Sequence, residues 1–385
     1  MKKARPCRIA IVNRFAPPDG APTATAAASL ALELAAVLPH AEITLHASRA
    51  SYGPSWTTDA APNIPTRRVP SLYSGKWQPA RLAASLFEGW LLARQASRAA
   101  DIVISLTDPP LLSFWIGPAC RRHGRRWIEW TLDRYPDFFP ATGLASEENL
   151  LYRQLSQRDA ELQPDAVIGL GVGQLNHLAT RRRSLPPALI VPVGLVPPVS
   201  PAPPPDTNSR LTLVYAGTLG EAHDPAALTA LIARADPARF HFALAVSGQH
   251  AAGLRRRLSG HPAVSWHDHL SNTDLAAAAA HIVTLSSRAT HLSVPSKAVT
   301  AVCLGRPFLF CGAPEADTWR DLGAAGWLIP QTTPDAVEAA IDEALSALAN
   351  PETRQARAAT ARALAVTLHR ARSDAVANLA AMITA

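Results

Sequence analysis

Short aliphatic runs alternate with longer amphipathic stretches along this chain, and the alternation restarts once. The first runs fall at residues 8–13 (RIAIVN), 43–47, 101–106 (DIVISL), 127–131, 166–170 and 188–192. Runs this short, dominated by Ile, Val and Leu and bounded by turn formers, read as buried strands. Between them, residues 25–38, 81–99, 111–123 and 147–162 carry apolar side chains at helical spacing. Strand, loop, helix, strand is the order of a parallel doubly wound sheet. The interval 52–79, rich in Pro, Ser and Thr, reads as a long excursion.

At 197–205 the chain runs PPVSPAPPP, a proline density that dictates an extended linker. The pattern then repeats. Strands are expected at 211–216, 240–247, 264–267, 281–286, 308–311 and 327–329, with helices at 225–235, 272–280 and 298–304. His223 or Asp224 is positioned to cap the first of these helices, with Pro225 in its first turn. From residue 334 the chain is alanine-rich helix, broken near Pro351. The expected organisation is an α/β chain with two Rossmann-like doubly wound domains facing a central cleft. Residues 1–196 form the first domain, 197–210 the linker and 211–350 the second domain, and helices at 351–385 pack back on the first.

Composition narrows the class. At 385 residues with 48% hydrophobic and 17% charged side chains, the chain is globular and long enough for two cores. No apolar run reaches the roughly 18 residues that span a bilayer, and the N-terminal stretch enters a strand with no signal-peptide core, so a cytoplasmic protein is expected. The four cysteines lack CxxC spacing and the histidines are scattered, HDH at 267–269 included, so no metal site or disulfide is expected.

The net charge of +7 resides in the first half, where 22 Lys and Arg face 15 Asp and Glu up to residue 200; beyond it the two are equal at 15. Arg121, Arg122, Arg125 and Arg126, with Lys76 and Arg81, lie among Trp77, Trp90, Trp115, Trp127 and Trp130. Such a set suits peripheral contact with the anionic inner face of a membrane. It suits equally well ordinary solvated arginines and core tryptophans. No nucleic-acid motif is present, and no nucleic-acid partner is expected.

Candidate chemistry concentrates at 292–307, LSVPSKAVTAVCLGRP. Val294, Pro295, Ser296 and Lys297 interrupt the regular structure ahead of a helix at 298–304. They bring a hydroxyl, a lysine and helix-start amides to one point, the makings of an anion site. A tight structural turn with a surface lysine is the equal alternative. In FAPPDGAP, Asp19 and Gly20 place a turn and bare backbone at a helix start. With one glycine there the GxGxxG fingerprint is absent, which argues against a dinucleotide. Asp108 and Asp133 follow the third and fourth strands, where ligands of open parallel sheets sit. Each carboxylate there serves either to orient an acceptor hydroxyl or take its proton, or to cap the following turn.

The order of these motifs resembles the family-4 glycosyltransferases of GT-B fold, in the bacterial branch that builds exopolysaccharides, capsules and O-antigens. The resemblance rests on NRFAPPDGAPTATAAASLALELA, SLTDPPLL, WTLDRYPD, YAGTLGEAHDP and VPSK with LGRPFL. It implies that the second domain binds a UDP- or GDP-sugar and the first a glycan or polyprenyl-linked acceptor. Catalytic roles would fall to Lys297, neutralising the diphosphate, and to Asp133. The donor would further meet Gly217, Thr218, Ser247, Gly248, Leu270, Pro295, Ser296 and Thr300, and Gly20 from the first domain. The acceptor would meet Asp19, Asp108, Asp133 and Arg134. Neither a metal nor a cofactor beyond the nucleotide-sugar is implied. The family's two glutamates, eight residues apart, match Leu292 and Thr300 here, which leaves the ribose contact and the retained anomeric configuration in question; Glu315 is a possible substitute. A sugar-nucleotide epimerase and an inactive nucleotide-sugar-binding scaffold are the alternatives on the same fold.

Overall fold

The structure, a computed structural model, describes residues 5–50, 63–71, 78–197 and 210–385. Lys76, Trp77, the side chain of Arg81, parts of the expected excursion and most of the proline-rich stretch lie outside the described residues. The chain divides into two compact units, Met1–Val191 with Arg372–Ala385, and Pro192–Ala371.

In the first unit the order is β1 (Arg8–Val12), α1 (Pro22–Val37), β2 (Glu42–Ser48), β3 (Thr66–Val69), α2 (Gln78–Ala99), β4 (Ile102–Ser105), α3 (Ser113–His123), β5 (Arg126–Trp130), α4 (Phe138–Ala141), α5 (Leu150–Ala160), β6 (Ala166–Gly169), α6 (Val172–Arg181) and β7 (Ala188–Ile190). The strands are parallel in the spatial order β3-β2-β1-β4-β5-β6-β7. Ile9 lies opposite both Ile43 and Ile102, so continuous aliphatic runs meet across the sheet. Strands covered on both faces need apolar residues at every position, which is why β4 and β6 are buried throughout. Leu92, Ile116 and Trp127 pack with Val12 in the core on one face.

The second unit continues with β8 (Leu211–Thr218), α7 (Pro225–Arg234), β9 (Phe240–Ser247), α8 (Ala251–Arg257), β10 (Val264–Trp266), α9 (Asn272–Ala277), β11 (Ala280–Thr284), α10 (Ser296–Cys303), β12 (Phe308–Gly312), α11 (Asp317–Leu322), β13 (Gly326–Pro330) and α12 (Pro334–Ala349). Its parallel sheet runs β10-β9-β8-β11-β12-β13. Tyr215, Phe242, Ile282, Leu309 and Ile341 share its core. Asp224, rather than His223, caps α7 by accepting from the amides of Ala226 and Ala227. In both sheets the strand order reverses once, between β1 and β4 and between β8 and β11; ligands of such sheets collect at that switch point.

Several boundaries differ from expectation. The excursion contains β3, whose sequence TRRV is polar because it is a sheet edge. Helix α1 begins at Pro22, three residues early, since proline suits a first helical position. Leu111, with φ 64°, interrupts the chain before α3, which starts at Ser113 instead of 111. The last element, α13 (Pro351–Thr384), is one continuous helix whose final residues belong to the first unit. There Arg372 pairs with Glu33 at 2.8 Å, and Arg126 donates to the carbonyls of Met382 and Ile383 at 2.7 and 3.1 Å, satisfying orphan acceptors of the last turn.

These contacts break up the expected basic and aromatic patch. Arg125 pairs with Asp101 at 3.0 Å, Arg126 serves α13, and Trp127 and Trp130 are buried. Arg121 and Arg122 remain exposed, and Trp90 and Trp115 are each 37% exposed. Among the described residues no helix is long and apolar enough to cross a membrane.

Candidate functional site

In the second unit Gly217, Thr218, Ser247 and Gly248 lie at the carboxyl ends of β8 and β9, and Pro295, Ser296 and Lys297 open the helix that follows β11. Pro295, buried and extended, is the N-cap of α10, so Ser296 and Lys297 lie in the first helical turn instead of a preceding loop. Lys297 Nζ donates to the Thr218 carbonyl at 3.0 Å and lies 5.3 Å above the Tyr215 ring. Burial pulls its ammonium down to about 8. Among the described residues no carboxylate pairs with it. A part-buried cation without a counter-ion is costly, and an anionic ligand removes that cost.

Gly217 and Gly248 shape the floor. Gly217 has φ +119°, and a Cβ there would stand 3.0 Å from Lys297 Cε. Gly248 has φ +95°, and a Cβ would stand 2.9 Å from Thr218 Cγ2 and 3.0 Å from the Leu219 carbonyl. The Gly248→Ala variant is therefore expected to lower stability by roughly 2 kcal/mol, read by urea denaturation; a loss below a few tenths would show that the turn relaxes freely. Thr218 and Ser247 hydroxyls approach to 3.4 Å. Leu270 is buried with Leu275 and Ala276. Thr300 donates its hydroxyl hydrogen to the Gly194 carbonyl at 2.8 Å, so it has no hydrogen left for a ribose. Leu292 is buried, and Glu315 is exposed just after β12.

In the first unit, Asp108 and Asp133 follow β4 and β5, neighbours in register. A pocket of about 10 Å³, room for one water, is lined there by Thr107, Leu111, Glu129, Thr131, Asp133, Arg134 and Tyr135. The Asp133 amide donates to Thr107 Oγ1 at 3.2 Å. Burial raises Asp108 to about 6, helped by Asp133 and opposed by Arg14, so this carboxyl can exchange a proton near neutrality. Asp19 accepts from the Ala21 amide at 3.0 Å at the start of α1, with Gly20 beside it in the same turn. Arg134, expected among the acceptor contacts, is 2% exposed, and its guanidinium pairs with Asp159 and, at 3.8 Å, with Asp137. Its terminal nitrogens are spent inside the protein, because a buried guanidinium must be matched by buried carboxylates.

Three residues here were not singled out from sequence, and a fourth, His223, was read only as a candidate cap of α7. His223 lies 3.4 Å from Lys297 Nζ. Glu129, Asp159 and Arg182 form a buried network in which Arg182 Nη1 meets Glu129 at 2.5 Å and Nη2 meets Asp159 at 3.2 Å. Glu129, inside the apolar run RWIEW, was the one visible sign: a carboxylate in a buried strand requires a partner.

No protein-family model matches the chain, and no curated protein matches it. Solved structures do. Sucrose-phosphate synthase from Thermosynechococcus elongatus superposes with a TM-score of 0.71 at 13% identity over 98% of each chain. WaaG, a glycosyltransferase involved in lipopolysaccharide biosynthesis, gives 0.65 at 15% identity over 98% of this chain and 99% of its own. Anabaena HepE, solved in complex with UDP-glucose, gives 0.66 at 14% over 97% and 99%. Likeness at such identity speaks for the fold alone: with two parallel α/β sheets of seven and six strands, this chain has the GT-B fold of those glycosyltransferases.

Proposed function

We propose that this protein is a metal-independent glycosyltransferase. It moves a sugar from a UDP- or GDP-sugar to a glycan or polyprenyl-linked acceptor of a bacterial surface polysaccharide, working at the inner face of the cytoplasmic membrane. The observation that carries the reading is Lys297: an ammonium with no carboxylate partner among the described residues, held at a sheet's switch point in the first turn of α10. A nucleoside diphosphate supplies the missing negative charge. In the reaction the bond from the sugar's anomeric carbon to the β-phosphate oxygen breaks, and a bond from that carbon to an acceptor oxygen forms. Lys297 and the amides around Gly217 and Ser296 stabilise the departing diphosphate. Asp133 takes the acceptor's proton if the configuration inverts; if it is retained, the departing phosphate oxygen takes the proton and Asp133 positions the hydroxyl.

Leu292 and Thr300 offer a ribose no carboxylate, and Thr300 is committed to Gly194. That favours, as a second reading, a protein that binds nucleotide-sugar without turnover. A thermal-shift panel of UDP, GDP, ADP, TDP and CDP, with NADH as control, tests the donor site. The matching diphosphate at a hundred times its Kd is expected to stabilise the fold by about 2.7 kcal/mol, a shift of several degrees. No shift with any of the five overturns the donor assignment; a shift without transfer to any acceptor supports the second reading.

A further inference from the structure

Lys297 is held by more than its helix. The chain contains 33 arginines and only four lysines, at 2, 3, 76 and 297, yet a lysine occupies this turn. His223, in the loop between β8 and α7, has Nδ1 2.6 Å from the Thr284 carbonyl at the end of β11. A carbonyl only accepts, so Nδ1 carries the hydrogen and Nε2 of the neutral ring presents a lone pair. That lone pair faces Lys297 Nζ at 3.4 Å, while the Tyr215 and His223 rings meet edge to face at 85° with centroids 6.5 Å apart.

We propose that His223 is a positioning residue for Lys297: its Nε2 accepts one ammonium hydrogen while Thr218 O accepts a second, which leaves the third aimed at the ligand. The ligand, a nucleoside diphosphate, is the one part that rests on the function proposed above. Neutrality matters, because a second cation here would oppose the first. Burial, and then the Lys297 charge, pulls His223 down to about 3, so it is uncharged at neutral pH. The other titratable groups around the pair are Tyr215 from β8, pushed up by burial, Cys311 from β12, pushed up to about 12, His250 at the start of α8, and Asp224, committed to the amides of α7 and to Gln331. A lysine suits the post better than an arginine: its compact ammonium fits between two point acceptors, where a planar fork would not.

Four lysines make the test direct. In protein labelled at lysine ¹³Cε, Lys297 is expected to titrate near 8, apart from lysines near the ordinary value of about 10.4. His223→Leu keeps the volume and deletes the acceptor, and should lower the Lys297 midpoint by about one pH unit. His223→Gln, whose Oε1 can accept, should return it to within a few tenths. The ¹⁵N spectrum of the unaltered protein should show Nδ1 protonated and Nε2 bare in His223. An unchanged midpoint in His223→Leu, or a protonated Nε2 in the unaltered protein, overturns the proposal; the second reading is available even if the leucine variant does not fold. UDP affinity of the leucine variant should fall roughly fivefold at pH 8 and little at pH 6, where Lys297 is charged in both proteins, a pattern that a purely structural defect would not produce. If UDP binds no variant and not the unaltered protein, the donor reading fails while the titration still decides the role of His223.

Discussion

Replacing Lys297 by Ala is expected to lower sugar transfer by about a thousandfold, ~4 kcal/mol of transition-state stabilisation, with the thermal midpoint unchanged or slightly raised. The size follows from what the ammonium does. As the bond to the diphosphate breaks, charge develops on the β-phosphate oxygen, and a cation already in place needs no reorganisation to meet it. The stability prediction follows from burial. Lys297 lies below its ordinary value in the folded chain, so between about 8 and 10 the unfolded chain holds more protons and stability rises with pH. In the Ala variant that rise disappears. Activity is read with a UDP-sugar and isolated lipid acceptor, and stability by calorimetry across that window. Turnover within tenfold of the unaltered protein would remove Lys297 from the chemistry.

Replacing Arg182 by Ala is expected to cost the first unit about 3–5 kcal/mol, which lowers its midpoint by roughly 10 °C. Arg182 is buried and its fork spans two carboxylates, Glu129 and Asp159, from β5 and α5. Burial by itself would raise Glu129, yet Arg182 and a 2.6 Å hydrogen bond from Ser113 hold it below its ordinary value. Its contribution is therefore complete above the ordinary carboxylate range and is lost as pH falls through its depressed folded value. The Ala variant leaves two carboxylates in a dry site with Arg134, and its deficit is largest at neutral pH and shrinks in acid, where the unaltered protein loses the same contribution. Lysine is not expected to rescue it, because one ammonium cannot reproduce two directed bonds to separate acids. Urea denaturation at pH 7 and pH 4 measures both effects, and a loss under 1 kcal/mol would show that the network is replaceable by water.

Much of the fold was legible because each buried strand needs apolar residues throughout. RIAIV, IVIS, LTLVYA and FLFC announced parallel strands, and the restart after the prolines announced a second sheet. β3 was missed because a strand at a sheet edge can be as polar as TRRV. α6 was missed because it begins in Gly171-Val172-Gly173, which reads as a turn until the Gln174 side chain is seen tying it to the Leu170 amide and the Leu132 carbonyl.

What the sequence by itself determined was local: the alternation of strand and helix, its restart in a second sheet, and the strand ends that carry Asp108 and Asp133. These depend on residues within a few positions of one another. Partnership was decided only by the tertiary structure. Arg134 and Arg182 look like surface arginines until Asp159 and Glu129, 25 and 53 residues away from them, meet them in the interior. Thr300 looks free until Gly194, 106 residues earlier, accepts its hydrogen, and His223 looks like a loop residue until Thr284 sets its tautomer and Lys297 meets its other nitrogen. Hydrogen bonds and ion pairs are short-ranged in space and indifferent to chain separation, so a one-dimensional pattern does not encode them.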